Sequence, residues 1–149
     1  MLKVVPDANI LISAMFGFPG MPRQIFNLAL KKDIILFGSQ ETYNEFCEKV
    51  RTYQKFQRYW QRQIFTPEKI IVDYKTVINM APTKGIYQDV CIVQADPSDD
   101  IYFKTAKACG AKIIISGDKH LLGVKKFDNI LVVKPRNFID KYNLIKQAQ

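Results

Sequence analysis

Short apolar runs alternate along this chain with longer stretches of helical spacing. Leu2–Val5 is mostly apolar with β-branched members and is bounded by Pro6-Asp7, which predicts a buried strand ending at Asp7. Asn9–Met15 carries Ile10, Leu11 and Ile12 among small residues and predicts a turn into a helix. Gly17, Pro19, Gly20 and Pro22 predict a loop. Arg23–Lys32 sets Ile25, Phe26, Leu28, Ala29 and Leu30 near helical spacing, with Lys31 and Lys32 suited to a helix C-terminus. Ile34–Phe37 predicts a second strand. Ser39 is a plausible N-cap for a helix through Glu45 and Val50. Residues 51–65 predict a further helix, and Thr66-Pro67 opens another that runs to about Met80 and stops at Pro82. Asp89–Val93 predicts a third strand. Asp96-Pro97-Ser98-Asp99-Asp100 is turn chemistry leading into a helix over Asp99–Cys109, which Gly110 terminates. Lys112–Ser116 predicts a buried strand broken at Gly117-Asp118, Asn129–Val133 the last strand, and Pro135 the start of a final helix.

Strands alternating with helices predict an α/β fold with an open, mostly parallel sheet of four to five strands and helices on both faces. Functional groups in such sheets gather at the carboxyl ends of the strands. Asp7 and Asp118 fall at that edge, Glu45 lies about two turns into the helix leaving the second strand, and Asp99 and Asp100 open the helix that feeds the fourth. Any one of these acids has an ordinary reading as a turn residue or helix cap. Converging carboxylates raise one another's pKa and oppose folding. A divalent cation relieves that repulsion, and an oxygen-only ligand set suits Mg²⁺ or Mn²⁺.

Composition narrows the class. The chain has 149 residues, a one-domain length, with 48% hydrophobic and 24% charged residues. Its apolar runs are far short of the ~18 residues that span a membrane. The N-terminus lacks the pattern of a secretory signal, so a cytoplasmic location is expected. Cys47, Cys91 and Cys109 are odd in number and lack C-x-x-C spacing, and are read as small core hydrophobes. The formal charge is +8, which makes a nucleic-acid partner reasonable.

The order Val4-Val5-Pro6-Asp7-Ala8-Asn9-Ile10-Leu11-Ile12-Ser13 resembles the opening of PIN domains, where the first strand ends in Asp-x-Asn. Ser39 stands six residues before Glu45, Asp96–Asp100 precedes Phe103, Ala106 and Gly110-Ala111, and Ile113-Ile114-Ile115-Ser116-Gly117-Asp118 is similar to the family's apolar strand followed by Ser/Thr-x-Asp. Four motifs in order carry the resemblance, which extends to about Tyr142, giving a domain over 1–142 and a tail over 143–149. The nearest subgroup is the toxin components of bacterial toxin–antitoxin pairs.

The resemblance implies a metal-dependent endoribonuclease. Asp7, Glu45, Asp99 and Asp118 would be catalytic and hold Mg²⁺ or Mn²⁺, with Asp100 as an additional ligand and Asp99 favoured over it by register. Asn9 and Ser116 would support the site. Asp96 reads as a cap for its turn. His120 reads as a solvent-facing or helix-start residue, or as a contact to substrate phosphate. The resemblance also implies an RNA substrate, a cognate antitoxin protein, a homodimer and no membrane. Pro6 departs from the family pattern by removing a backbone donor from an expected central strand.

Residues 49–62 read KVRTYQKFQRYWQR. Arg51, Lys55, Arg58 and Arg62 share one helical face beside Phe56, Tyr59 and Trp60. The pattern suits an RNA track, a dimer or antitoxin contact, or a solvated amphipathic helix. Two further functions compete. A haloacid-dehalogenase-like phosphatase needs an aspartate where Asn9 stands. A non-catalytic RNA-binding or protein-interaction module would keep the basic face and tolerate loss of the acids.

Overall fold

Neighbouring residues on the central strands pack into different apolar clusters, as the two-residue period of a strand requires. The computed structural model describes residues 1–17, 19–52 and 66–148. β1 (Leu2–Pro6) leads to α1 (Ala8–Met15) and α2 (Met21–Leu30); β2 (Ile34–Gly38) leads to α3 (Gln40–Thr52). After α4 (Pro67–Val77) come β3 (Asn79–Met80), a single 3₁₀ turn over Pro97–Asp99, and α5 (Asp100–Cys109). β4 (Ile113–Ile115), α6 (Lys119–Val124), the hairpin β5 (Lys126–Phe127) and β6 (Ile130–Val133), and α7 (Pro135–Gln147) complete the order.

The strands form one sheet in the order β3-β2-β1-β4-β6-β5, parallel except for β5. Val4, Leu36 and Ile115 pack with Ile12, Ile25, Phe46, Ile70 and Phe138 from α1, α2, α3, α4 and α7. Val5, Ile114 and Val132 pack with Tyr102, Phe103, Ala106 and Leu121 from α5 and α6. Each fully buried Ile, Leu or Phe contributes about 1.5–3 kcal/mol over its exposed state. The fold is therefore the expected α/β sheet covered on both faces, with six strands rather than four to five.

Several local expectations change. Residues 89–93 are not a strand: the N–H groups of Ile92 and Val93 donate to the Asp100 carboxylate at 3.1 and 2.7 Å, in place of a ladder. The third strand is instead Asn79–Met80, paired with Phe37 and Gly38, where a continued helix was expected. Gly38 permits this approach, because a Cβ there would lie 2.2 Å from the Tyr74 hydroxyl. No helix starts at residue 51; α3 runs on through Arg51 to Thr52, and residues 53–65 of the predicted helix lie outside the described residues. The last strand falls where expected, as β6, but helix α6 and the short β5 that pairs with β6 as a hairpin were not expected from the sequence. The hairpin turns on Asp128-Asn129, both at positive φ, which suits a tight two-residue connection. Of the cysteines, Cys47 is buried as expected, Cys109 is partly buried and Cys91 is exposed.

Pro6 costs the sheet little. The β1–β2 ladder has ended by Val4, and Asp7 N–H carries the pairing to β4 onward by donating to the Ile115 carbonyl at 3.0 Å. Alternation along the strand points the missing Pro6 donor toward β2, beyond the last register pair of that ladder, Val4 with Leu36.

Candidate active site

The carboxyl ends of β1 and β4 place Asp7, Ser116 and Asp118 in one hydrogen-bonded chain. Asp7 is buried and caps α1, its Oδ1 accepting the Ile10 N–H at 2.9 Å. Its Oδ2 accepts the Ser116 hydroxyl. Ser116 Oγ in turn accepts the Asp118 N–H at 2.9 Å. Asp118 caps α6, its Oδ1 accepting the N–H groups of His120 and Leu121 at 2.8 and 3.0 Å. Two capping aspartates at neighbouring strand exits thus share one serine between them.

Helix α3 delivers Glu45 to the same edge. Ser39 starts α3 by reciprocal capping: its N–H donates to Thr42 Oγ1 at 2.8 Å, and its Oγ accepts the Thr42 N–H at 3.3 Å. Glu45 Oε2 accepts the hydroxyl of Tyr102 at 2.7 Å, while Oε1 lies 3.0 Å from Lys49 Nζ. Tyr102 is fully buried, and its oxygen also accepts the Ala8 N–H at 3.2 Å. One phenol from α5 therefore ties α3 to the start of α1. Sequence reasoning missed Tyr102. Its only signal is the three-residue spacing from Asp99, which puts both on one side of the helix start.

Asp99 differs from the others. It is 7% exposed; its N–H donates to the Asp96 carbonyl at 3.0 Å, but its carboxylate makes no hydrogen bond or ion pair with the described residues. Burial first, then the charges of Asp96, Asp118 and Glu45, push its pKa up to about 7, with Lys49 pulling the other way. Asp7 is also raised, chiefly by burial, against the lowering effect of the Ser116 and Ile10 hydrogen bonds. The charge of Asp118 thus bears on both Asp7 and Asp99, and that of Glu45 on Asp99.

The remaining candidates fall elsewhere. Both Asp100 oxygens are taken by the backbone of Ile92 and Val93, so its carboxylate fastens the preceding loop onto α5. Asn9 is exposed on the first turn of α1. Asp96 caps the 3₁₀ turn by accepting the Ser98 N–H at 3.2 Å, as its sequence position suggested. Arg51 is exposed at the end of α3; Lys55, Arg58 and Arg62 lie outside the described residues.

A groove of about 470 Å³ runs beside the acids, lined by Glu45, Glu48, Lys49, Ser98 and Ile101 among others. A cavity of about 540 Å³ beside Met1 and Leu2 is lined mostly by apolar side chains of β1, β4, β6 and α7. The groove at the acidic edge is lined by Glu41, Glu45 and Glu48. The oxygen donors of that edge, one of them buried and unpartnered, fit a divalent cation.

A sequence model of the PIN domain matches residues 3–120. The chain is 27% identical over 157 residues to the uncharacterized protein MJ1680 of Methanocaldococcus jannaschii, spanning 95% of this chain and 92% of that protein. Among solved structures, a chain of VapBC2 from Rickettsia felis, bound to a DNA fragment from their promoter, is similar in fold with a TM-score of 0.60. The two are 12% identical, over 89% of this chain and 98% of that one.

Proposed function

The chain belongs to the PIN domain family, and from that premise we propose that it is a metal-dependent endoribonuclease of the toxin type, hydrolysing RNA phosphodiester bonds. The convergence of Asp7, Glu45, Asp99 and Asp118 on one sheet edge, with Asp99 buried and unpartnered among the described residues, carries this reading. These four residues would hold Mg²⁺ or Mn²⁺. When bound, the cation supplies an acidified water and stabilises charge on the phosphate and departing oxygen.

The chain's own groups hold the acids ready. Ser116 and the Ile10 N–H fix the Asp7 carboxylate in one orientation. Tyr102 does the same for Glu45. Lys49, beside Glu45 in the groove wall, offsets part of the negative charge and attracts a phosphate backbone. Arg51, with Lys55, Arg58 and Arg62, would extend that attraction along the RNA. The fold it shares with a chain of VapBC2 supports a cognate antitoxin protein as partner; a homodimer in the cytoplasm would be the working state. The nuclease unit would span 1–142, with 143–149 as a tail that continues α7 as far as Gln147.

The test is cleavage of a panel of labelled RNAs with Mn²⁺ or Mg²⁺, beside EDTA and an Asp7→Asn variant. Metal-dependent cutting lost in both controls is expected. No cutting, together with RNA binding indifferent to divalent metal, would overturn the nuclease reading in favour of a non-catalytic RNA-binding module.

A further inference from the structure

We propose that Asp96, Asp99 and His120 form a binding site for a divalent transition metal of the Zn²⁺ or Mn²⁺ class. Neither Asp96 nor His120 belongs to the four-acid set, and the pair adds a nitrogen donor to an otherwise all-oxygen edge. One ligand atom from each of the three residues lies within 4.8 Å of the others. Metal bonds of about 2.0–2.2 Å set neighbouring donors about 3–4 Å apart, so modest side-chain rotation closes the site.

Each donor is in a state that suits a ligand. Asp99 is buried with no partner among the described residues, which leaves a desolvated carboxylate unsatisfied. Asp96 is oriented from one side only: Oδ1 accepts the Ser98 N–H at 3.2 Å and the Ser98 hydroxyl at 2.5 Å, while Oδ2 has no hydrogen bond with the described residues. His120 sits on the first turn of α6, its Nδ1 4.0 Å from Asp118 Oδ1. Two carboxylates with an imidazole favour later first-row metals, whereas Mg²⁺ prefers oxygen ligands and water.

The site shares Asp99 with the proposed nuclease centre, so a metal held here would influence which cation that centre receives. This consequence rests on the nuclease reading; the binding does not. The protein has one histidine, so ¹⁵N spectra of imidazole report His120 alone. Zn²⁺ is titrated into ¹⁵N-labelled protein carrying Cys91→Ser, since the exposed Cys91 thiol is a competing ligand. One ring nitrogen is expected to shift on saturation with Zn²⁺ and to stay in place with excess Mg²⁺. In calorimetry, His120→Asn and Asp96→Asn should each weaken Zn²⁺ binding at least about tenfold, while Asp140→Asn, on the exposed face of α7, should leave it unchanged. Ring nitrogens that do not move at Zn²⁺ saturation, or both variants binding as the parent does, would overturn the site. RNA cleavage that fails while this binding persists would remove only the nuclease reading; cleavage that persists without it would remove only this site.

Discussion

Two buried polar groups flank helix α5, and they differ in whether their members are satisfied. On one side, Thr105 Oγ1 and Ser39 Oγ are hydrogen-bonded at 2.8 Å, and Thr42 Oγ1 lies 3.1 Å from the Tyr74 hydroxyl. This network is neutral and well paired, and it locks α3 against α4 and α5. On the other side, burial raises the cost of ionising Asp7 and Asp99, with the charge of Asp118 adding to both and those of Asp96 and Glu45 adding to Asp99. The adjacent pair Asp99 and Asp100 compresses the difference into one peptide bond. Both are buried, but Asp100 accepts two backbone N–H groups while Asp99 accepts none among the described residues. A buried polar group that is fully paired serves the fold; one left unpaired at a groove stores binding capacity for something else.

This contrast can be broken by substitution. Asp99→Asn is expected to reduce metal-dependent RNA cleavage by about 10²–10³, measured as single-turnover rate with saturating Mn²⁺. Retention of the full rate would move Asp99 out of the centre. Asp100→Ala should do the reverse. It strands the N–H groups of Ile92 and Val93, costing about 3 kcal/mol, readable as a lower urea midpoint. A loss as small as that of a typical surface variant would show that the loop does not depend on this carboxylate. Gly38→Ala attacks the neutral network directly, forcing Tyr74 away from Thr42, and should cost about 2 kcal/mol in the same measurement. The smallest effect has the opposite sign. In EDTA at pH 8, Asp99→Asn should stabilise the protein by about 1 kcal/mol, because it removes a desolvated charge from among other acids. Addition of Mn²⁺ should then raise the melting temperature of the parent more than that of the variant.

Much of the fold was legible because strands and helices write their own periods. The run Ile113-Ile114-Ile115, the turn at Gly117-Asp118 and the Gly110 stop, which adopts φ of 80°, need only local chemistry to be read. The same holds for the acids at strand exits and helix starts. Asp7 is a cap signalled by its position before the apolar-patterned α1, whereas Asp118 was legible only as a strand-exit acid, because the helix it caps was not expected. Residues 89–93 misled because β-branched residues also suit a buried loop when a side chain supplies the backbone partners. Here Asp100, seven to eight residues away, does so.

What the sequence determined by itself was the alternation of elements, the faces they bury and the edge at which the acids emerge, since each follows from spacing along a few residues. Tertiary structure decided which carboxylates are spent and which stay available. That choice depends on partners distant in the chain: Ser116 for Asp7 across 109 positions, Tyr102 for Glu45 across 57, and none among the described residues for Asp99. Hydrogen bonding and desolvation act through space at contact distance, so beyond the family register that favours Asp99, nothing in the local sequence tells which of Asp99 and Asp100 is paired until the sheet has brought their surroundings together.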